Sequence, residues 1–123
     1  MELGALETAQ AHNEGAEMRV RGPDGEYTDF YIMLSGMDST TWRKAARDVK
    51  RKVVEVMSAG GEVDIDFEAE SLAASTIGWR GLESDGEAVE FNVDTAFSLY
   101  KNAPYIQDQA DRFMGDRANF IKG

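Results

Sequence analysis

The chain has no cysteine, two prolines and a single histidine among its 123 residues. The missing thiols exclude a disulfide framework, a thiolate metal site and a cysteine nucleophile. One imidazole, His12, gives no histidine pair and no zinc site of the usual kind. Basic residues are scarce, 13 against 23 acidic ones, for a net charge of −10. Two polyanions repel, so nucleic acid is not an expected partner; a cationic partner or plain solubility fits better. No apolar run approaches the roughly 18 residues that span a bilayer, and 1–10 lacks the basic start and apolar middle of a signal peptide. The expectation is a soluble, cytosolic protein with no membrane contact.

What is present suits one modest core. This length supports one domain more comfortably than two. Charge is uneven along it: Trp42 to Met57 holds six basic and two acidic residues, while Ser58 to Phe97 holds ten acidic and one basic. The six bases, Arg43, Lys44, Arg47, Lys50, Arg51 and Lys52, read as the solvated face of a helix rather than a nucleic-acid patch.

Residues 1–16 are small, polar and acidic, and read as a frayed helix or mobile arm; a single domain is expected over 17–123. Met18 to Val20, the turn residues Gly22 to Gly25, and Tyr27 to Leu34 form a strand, turn and strand. A lone hairpin is marginal in water, so its apolar face needs covering by later helices. Asp38 or Ser39 is suited to cap the next helix. There Trp42, Ala46, Val49, Val53 and Val56 share one face, and Gly60 and Gly61 end it.

From Glu62 the pattern is divided, because Val63, Ile65 and Phe67 alternate with acids as in a strand, yet Glu68 to Ile77 has no breaker. The whole segment is read as helix. Gly78 and Gly81 bracket Trp79 in an expected loop, and Asp85 and Gly86 centre a polar turn. Asn92 is a good cap for a short helix to about Asn102, and Pro104 sits where a first helical position needs no amide. Ile106, Ala110, Phe113 and Phe120 mark a stripe of that last helix. The fold class is α+β, mainly helical: an N-terminal hairpin followed by about four helices.

No catalytic, cofactor or metal site is expected. His12 is read as a solvated bystander. Asp64, Asp66 and Glu68 imitate the start of a calcium loop, but Ala69 stands where glycine is required and Ser75 where the bidentate acid belongs. No glycine-rich loop ends in a lysine. What remains is surface for holding another chain. Tyr100, Tyr105, Phe113, Met114, Phe120 and Ile121 crowd the last segment, more than a short helix pair buries easily. Phe113 is assigned to the core against Trp42 and Phe67, Phe120 and Ile121 are balanced between core and contact, and Trp79 is a core plug or an interface anchor. Candidate partner-binding residues are therefore Trp79, Tyr100, Tyr105, Met114, Phe120 and Ile121.

The order of features from Trp79 onward resembles the tail assembly chaperones of long-tailed bacteriophages. The matching parts are Trp79 to Leu82, the Asp85-Gly86 turn, Val89 to Asn92, a short helix, the helix opened by Pro104, and Arg117 to Phe120. Leu34 to Ser39 followed by Trp42, Arg43 and Ala45 resembles the same family's strand-to-helix junction. The resemblance implies a chaperone that coats the long apolar tape measure protein, keeps it soluble and brings tail tube protein to it. It also implies work in the host cell cytoplasm, absence from the mature virion, and in some members a frameshifted longer form as a further partner. Physically, an amphipathic helix of the client would lie in an apolar groove. Homo-oligomerisation stays open. The alternatives are a structural tail or head-tail connector protein, which would form rings or tubes alone, and an acidic DNA-mimic inhibitor, whose field the Trp42 to Met57 helix interrupts.

Overall fold

The computed structural model describes residues 1–61 and 67–121, without the side chains of Ala5 and Phe67. In chain order the elements are α1 (Leu3–Leu6), α2 (Ala9–Glu14), β1 (Ala16–Arg21), β2 (Tyr27–Leu34), α3 (Thr40–Ser58), α4 (Phe67–Ser75), β3 (Thr76–Arg80), β4 (Glu83–Ser84), β5 (Glu87–Ala88), α5 (Val93–Asn102) and α6 (Pro104–Gly115). A 3₁₀ turn over Arg117–Asn119 follows. The protein is thus α+β and mainly helical, with the expected N-terminal hairpin.

Alternation decides how the sheet is used. Met18 and Val20 of β1, and Phe30, Ile32 and Leu34 of β2, are buried on one face against Leu72, Ala73, Ala96, Tyr100, Ile106, Ala110 and Met114. Each such large side chain, taken fully out of water, contributes about 1.5–3 kcal/mol. Arg19 and Asp29 project from the other face and stay exposed. The strand order is β1-β2-β3, all antiparallel, so among the described residues β1 and β3 are edges.

The third strand corrects the sequence reading. Thr76 and Ile77 were expected in a helix and Trp79 in a loop, yet β3 pairs Ile32 with Trp79 and Tyr31 with Arg80. Two hydroxyls explain where the helix stops. Ser75 Oγ donates to the Ser71 carbonyl and Thr76 Oγ1 to that of Leu72, capping the last turn with side chains. The β-branched and aromatic residues that follow then complete the open edge of β2. The expected helix start and strand-like alternation at 62–66 lie outside the described residues.

The remaining helices obey their local signals. Ser39 Oγ accepts from the Trp42 amide and Asn92 Oδ1 from the Thr95 amide, so both caps are as read. Pro104 occupies the first turn of α6. Asp85 and Gly86 both take positive φ, at 52° and 83°, which closes the β4–β5 ribbon with a tight hairpin turn. The last helix is shorter than its apolar stripe suggested: α6 ends at Gly115, and Phe120 is reached after the 3₁₀ turn that Asp116 caps. The basic face of α3 is solvated as expected, with Lys52 pairing to Glu70 and Arg51 4.0 Å from Asp48.

Candidate partner-docking site

The N-terminal segment is where the structure departs most from the sequence reading. His12 is not a solvated bystander; it is fully buried. Its carbonyl accepts from the Gly36 amide at 2.9 Å, and its Nδ1 accepts from the Asp38 amide at 2.9 Å. An accepting Nδ1 places the proton of the neutral ring on Nε2, which is buried without a hydrogen-bond partner and 3.6 Å from Asp38 Oδ2. Phe120 stacks on the imidazole at a centroid distance of 4.6 Å.

Asp38 is the hub of this clasp. Arg117 donates to both its oxygens, at 2.8 and 2.9 Å, and the Thr8 hydroxyl donates to Oδ2. These hydrogen bonds, with Arg117 foremost, hold the Asp38 carboxyl well below its ordinary range. The expected mobile arm is therefore tied at Thr8, His12 and Asn13, whose Oδ1 accepts from the Thr40 amide. Gly36 makes the approach feasible: a Cβ there would sit 2.0 Å from His12 Nδ1. Gly36 lies in the β2–α3 connection, and nothing in its spacing signals a ring packed against it.

The candidate contact residues sort by burial. Tyr100, Met114 and Phe120 are core residues and present no surface. The reason is local in each case. Tyr100 and Met114 lie on the inward stripes of α5 and α6, and the 3₁₀ turn folds Phe120 back onto His12 and Phe113. The Tyr100 hydroxyl shares a 2.7 Å hydrogen bond with Thr76 Oγ1, and burial pushes its pKa up to about 12. Trp79 is held edge-on between Phe30 and Phe91, and its indole N–H donates to the Val89 carbonyl at 2.8 Å. It plugs the margin of the core. Phe113 packs partly buried against the core, while its expected partner, the Phe67 side chain, lies outside the described residues. Tyr105 and Ile121 remain exposed, at 39% and 52%.

Tyr105 opens onto a groove of about 650 Å³ between the hairpin and α6. Met18, Pro23, Tyr27 and Phe113 give it apolar lining, while Arg19, Arg21 and Arg112 face a single carboxylate, Asp116. Tyr27 is 54% exposed. Arg21 lies over its ring at 4.5 Å and donates to its hydroxyl at 2.8 Å; Arg19 stands 5.5 Å from the same ring. Such stacking holds guanidinium groups in place for about 0.5–1 kcal/mol each at exposed sites. Among the described residues neither Arg21 nor Arg112 has a carboxylate partner within 4.0 Å, and Arg19 reaches only the exposed Asp29 at 3.6 Å. In a chain of net charge −10, this is a local excess of free positive charge beside aromatic surface.

Sequence reading found Tyr105 but missed Arg112 on the same helix and the two hairpin arginines, of which Arg21 is 88 positions from Gln109 of α6. The alternation of Arg19 and Arg21 with buried Met18 and Val20 was the available signal. Among the described residues no cluster of three or more His, Asp or Glu is arranged to hold a metal ion, and no helix is long and apolar enough to cross a membrane. No family model, no curated protein and no solved structure matches the chain.

Proposed function

We propose that this chain is a tail assembly chaperone of a long-tailed bacteriophage, binding tape measure protein in the host cytoplasm and helping to bring tail tube protein to it. The reading rests on the order of motifs from Leu34 to Phe120. The observation that supports it is the open groove flanked by the exposed rings of Tyr27 and Tyr105. Exposed aromatic surface beside free charge is costly to leave in water and gains by covering with a partner chain. Excess negative charge elsewhere keeps such a complex dispersed.

Co-expression with a tape measure fragment tests the proposal. Soluble client in the presence of the chaperone, and aggregated client in its absence, is the expected result. Replacing Tyr27 and Tyr105 together with serine is expected to abolish that protection while changing the thermal midpoint little, since neither residue belongs to the buried core. Client that stays insoluble with the wild-type chain would overturn the reading, as would recovery of the chain as a stable ring in finished particles.

A further inference from the structure

Resting on that reading, we infer that the groove recognises an extended, acidic segment of the partner, which adds as a strand to the free edge of β1. The edge itself is the first observation. Among the described residues β2 is the only strand paired with β1, and on the outer side of β1 the amide and carbonyl of Arg21 are both engaged by one side chain. The Arg21 N–H donates to Gln109 Oε1 at 2.7 Å and the Arg21 carbonyl accepts from Gln109 Nε2 at 2.8 Å. A carboxamide there makes the pair of bonds that a neighbouring strand would make. The pairing register shifts between Arg19 and Arg21, but the Val20 carbonyl faces β2, accepting from Thr28 Oγ1, so alternation along β1 turns the backbone groups of Arg19 and Glu17 to the outer side. Among the described residues no hydrogen bond from α6 or any other element meets them. The strand edge is thus capped at one end and open along the rest.

Charge selects the segment. A peptide laid along the open part of this edge places alternate side chains beside Arg19, diagonally from Arg21 and past a Glu17 already paired with Arg80, and the intervening ones toward Met18 and Phe113, with Arg112 on the opposite wall. Carboxylates alternating with aliphatic side chains satisfy both rows. Guanidinium groups without a carboxylate partner are the strong, directional donors for such a ligand. A long polyphosphate is disfavoured because it would extend beyond the groove over a chain of net charge −10. Strand addition, rather than the helix-in-groove mode expected from the sequence, follows from having an open strand as one wall.

Fluorescence anisotropy with a labelled peptide of alternating glutamate and valine tests this on the full chain. Binding is expected to weaken about tenfold or more when glutamine replaces glutamate, or in Arg21→Gln/Arg112→Gln protein. It should be unchanged in Arg47→Gln protein, altered on the solvated face of α3. N-methylation of the peptide at edge-facing residues should abolish binding, and at the intervening residues should spare it. Equal binding of the glutamine peptide, or indifference to N-methylation, would overturn the inference. So would tighter binding of a single-stranded oligonucleotide dependent on the same two arginines, which would reassign the groove to nucleic acid. Client that stays soluble while the peptide fails removes this inference alone; a peptide that binds while client aggregates removes the chaperone reading and leaves the groove chemistry standing.

Discussion

Two regions of this molecule use the same residue types to opposite ends. At the clasp, Arg117 is paired through both oxygens of Asp38, the Thr8 hydroxyl completes the set, and His12 and Phe120 stack beneath it. At the groove, Arg21 and Arg112 have tyrosines and open space around them, and among the described residues no carboxylate lies within 4.0 Å of either. Paired charge closes the two chain ends over the core; unpaired charge is left for something outside. The difference teaches where to look for a contact surface: at the cations the fold does not consume.

Substitutions that strike the clasp should sharpen this contrast by costing stability and sparing binding. Gly36→Ala is expected to have the largest effect, about 1–3 kcal/mol, because the new methyl overlaps the His12 ring and one of them must move. A chemical denaturation midpoint measures it, and Gly36→Ala added to His12→Ala should cost far less than it does alone. An undiminished midpoint for Gly36→Ala would mean that His12 does not occupy this position in solution.

Asp38→Asn should cost about 1–2 kcal/mol near neutral pH, since it weakens the bonds from Arg117 and Thr8 without removing bulk. The sign of its pH dependence follows from the lowered folded-state pKa. The native state favours the carboxylate, so the contribution is complete above the unfolded value of about 3.9 and is lost as pH falls below it. Wild-type and Asp38→Asn stabilities should therefore converge in acid; parallel curves down to pH 2 would show that Asp38 is not the group held by Arg117.

Tyr100→Phe tests the core that both regions share, at a cost of about 1 kcal/mol for the lost bond to Thr76. Here the pKa is raised to about 12, so the neutral phenol is favoured by folding. That contribution is present below the unfolded value of about 10 and lost as pH rises past it, and the alkaline limb of the stability curve should flatten in the variant. The smallest stability effect belongs to the groove: Arg21→Gln and Arg112→Gln should each stay within about 0.5 kcal/mol of wild type. A larger loss at either would return that arginine to the fold and erase the distinction between the two regions.

Much of the frame was legible in the residues because it is set by local chemistry. The hairpin follows from the alternation of Met18, Val20, Phe30, Ile32 and Leu34 around a Pro-Asp-Gly turn. The caps at Ser39 and Asn92 and the start at Pro104 depend on side chains within three residues of the amides they serve. Trp79 escaped because Gly78 and Gly81 look like loop residues until β2 supplies an edge, along which Gly78 pairs with Met33 and Trp79 with Ile32. His12 escaped for a related reason: its partners, Gly36, Asp38 and Phe120, are 24 or more positions away, and no periodicity links them. Of the residues read as contact surface, Tyr105 and Ile121 are exposed, whereas Tyr100, Met114 and Phe120 are buried. An aromatic-rich stretch announces apolar area without saying which side faces inward.

By itself, then, the sequence determined the helix and hairpin boundaries set by caps, turns and alternation, and the absence of thiol and paired-imidazole chemistry. Those are properties of residue type and short spacing, which no distant contact is needed to express. Only the tertiary structure decided which cations are neutralised and which are free, that a histidine near the N-terminus lies under a phenylalanine near the C-terminus, and that one strand edge is left open beside an aromatic groove. Pairing, burial and edge exposure depend on distances between residues remote in the chain, and those distances exist only once the core has drawn the elements together.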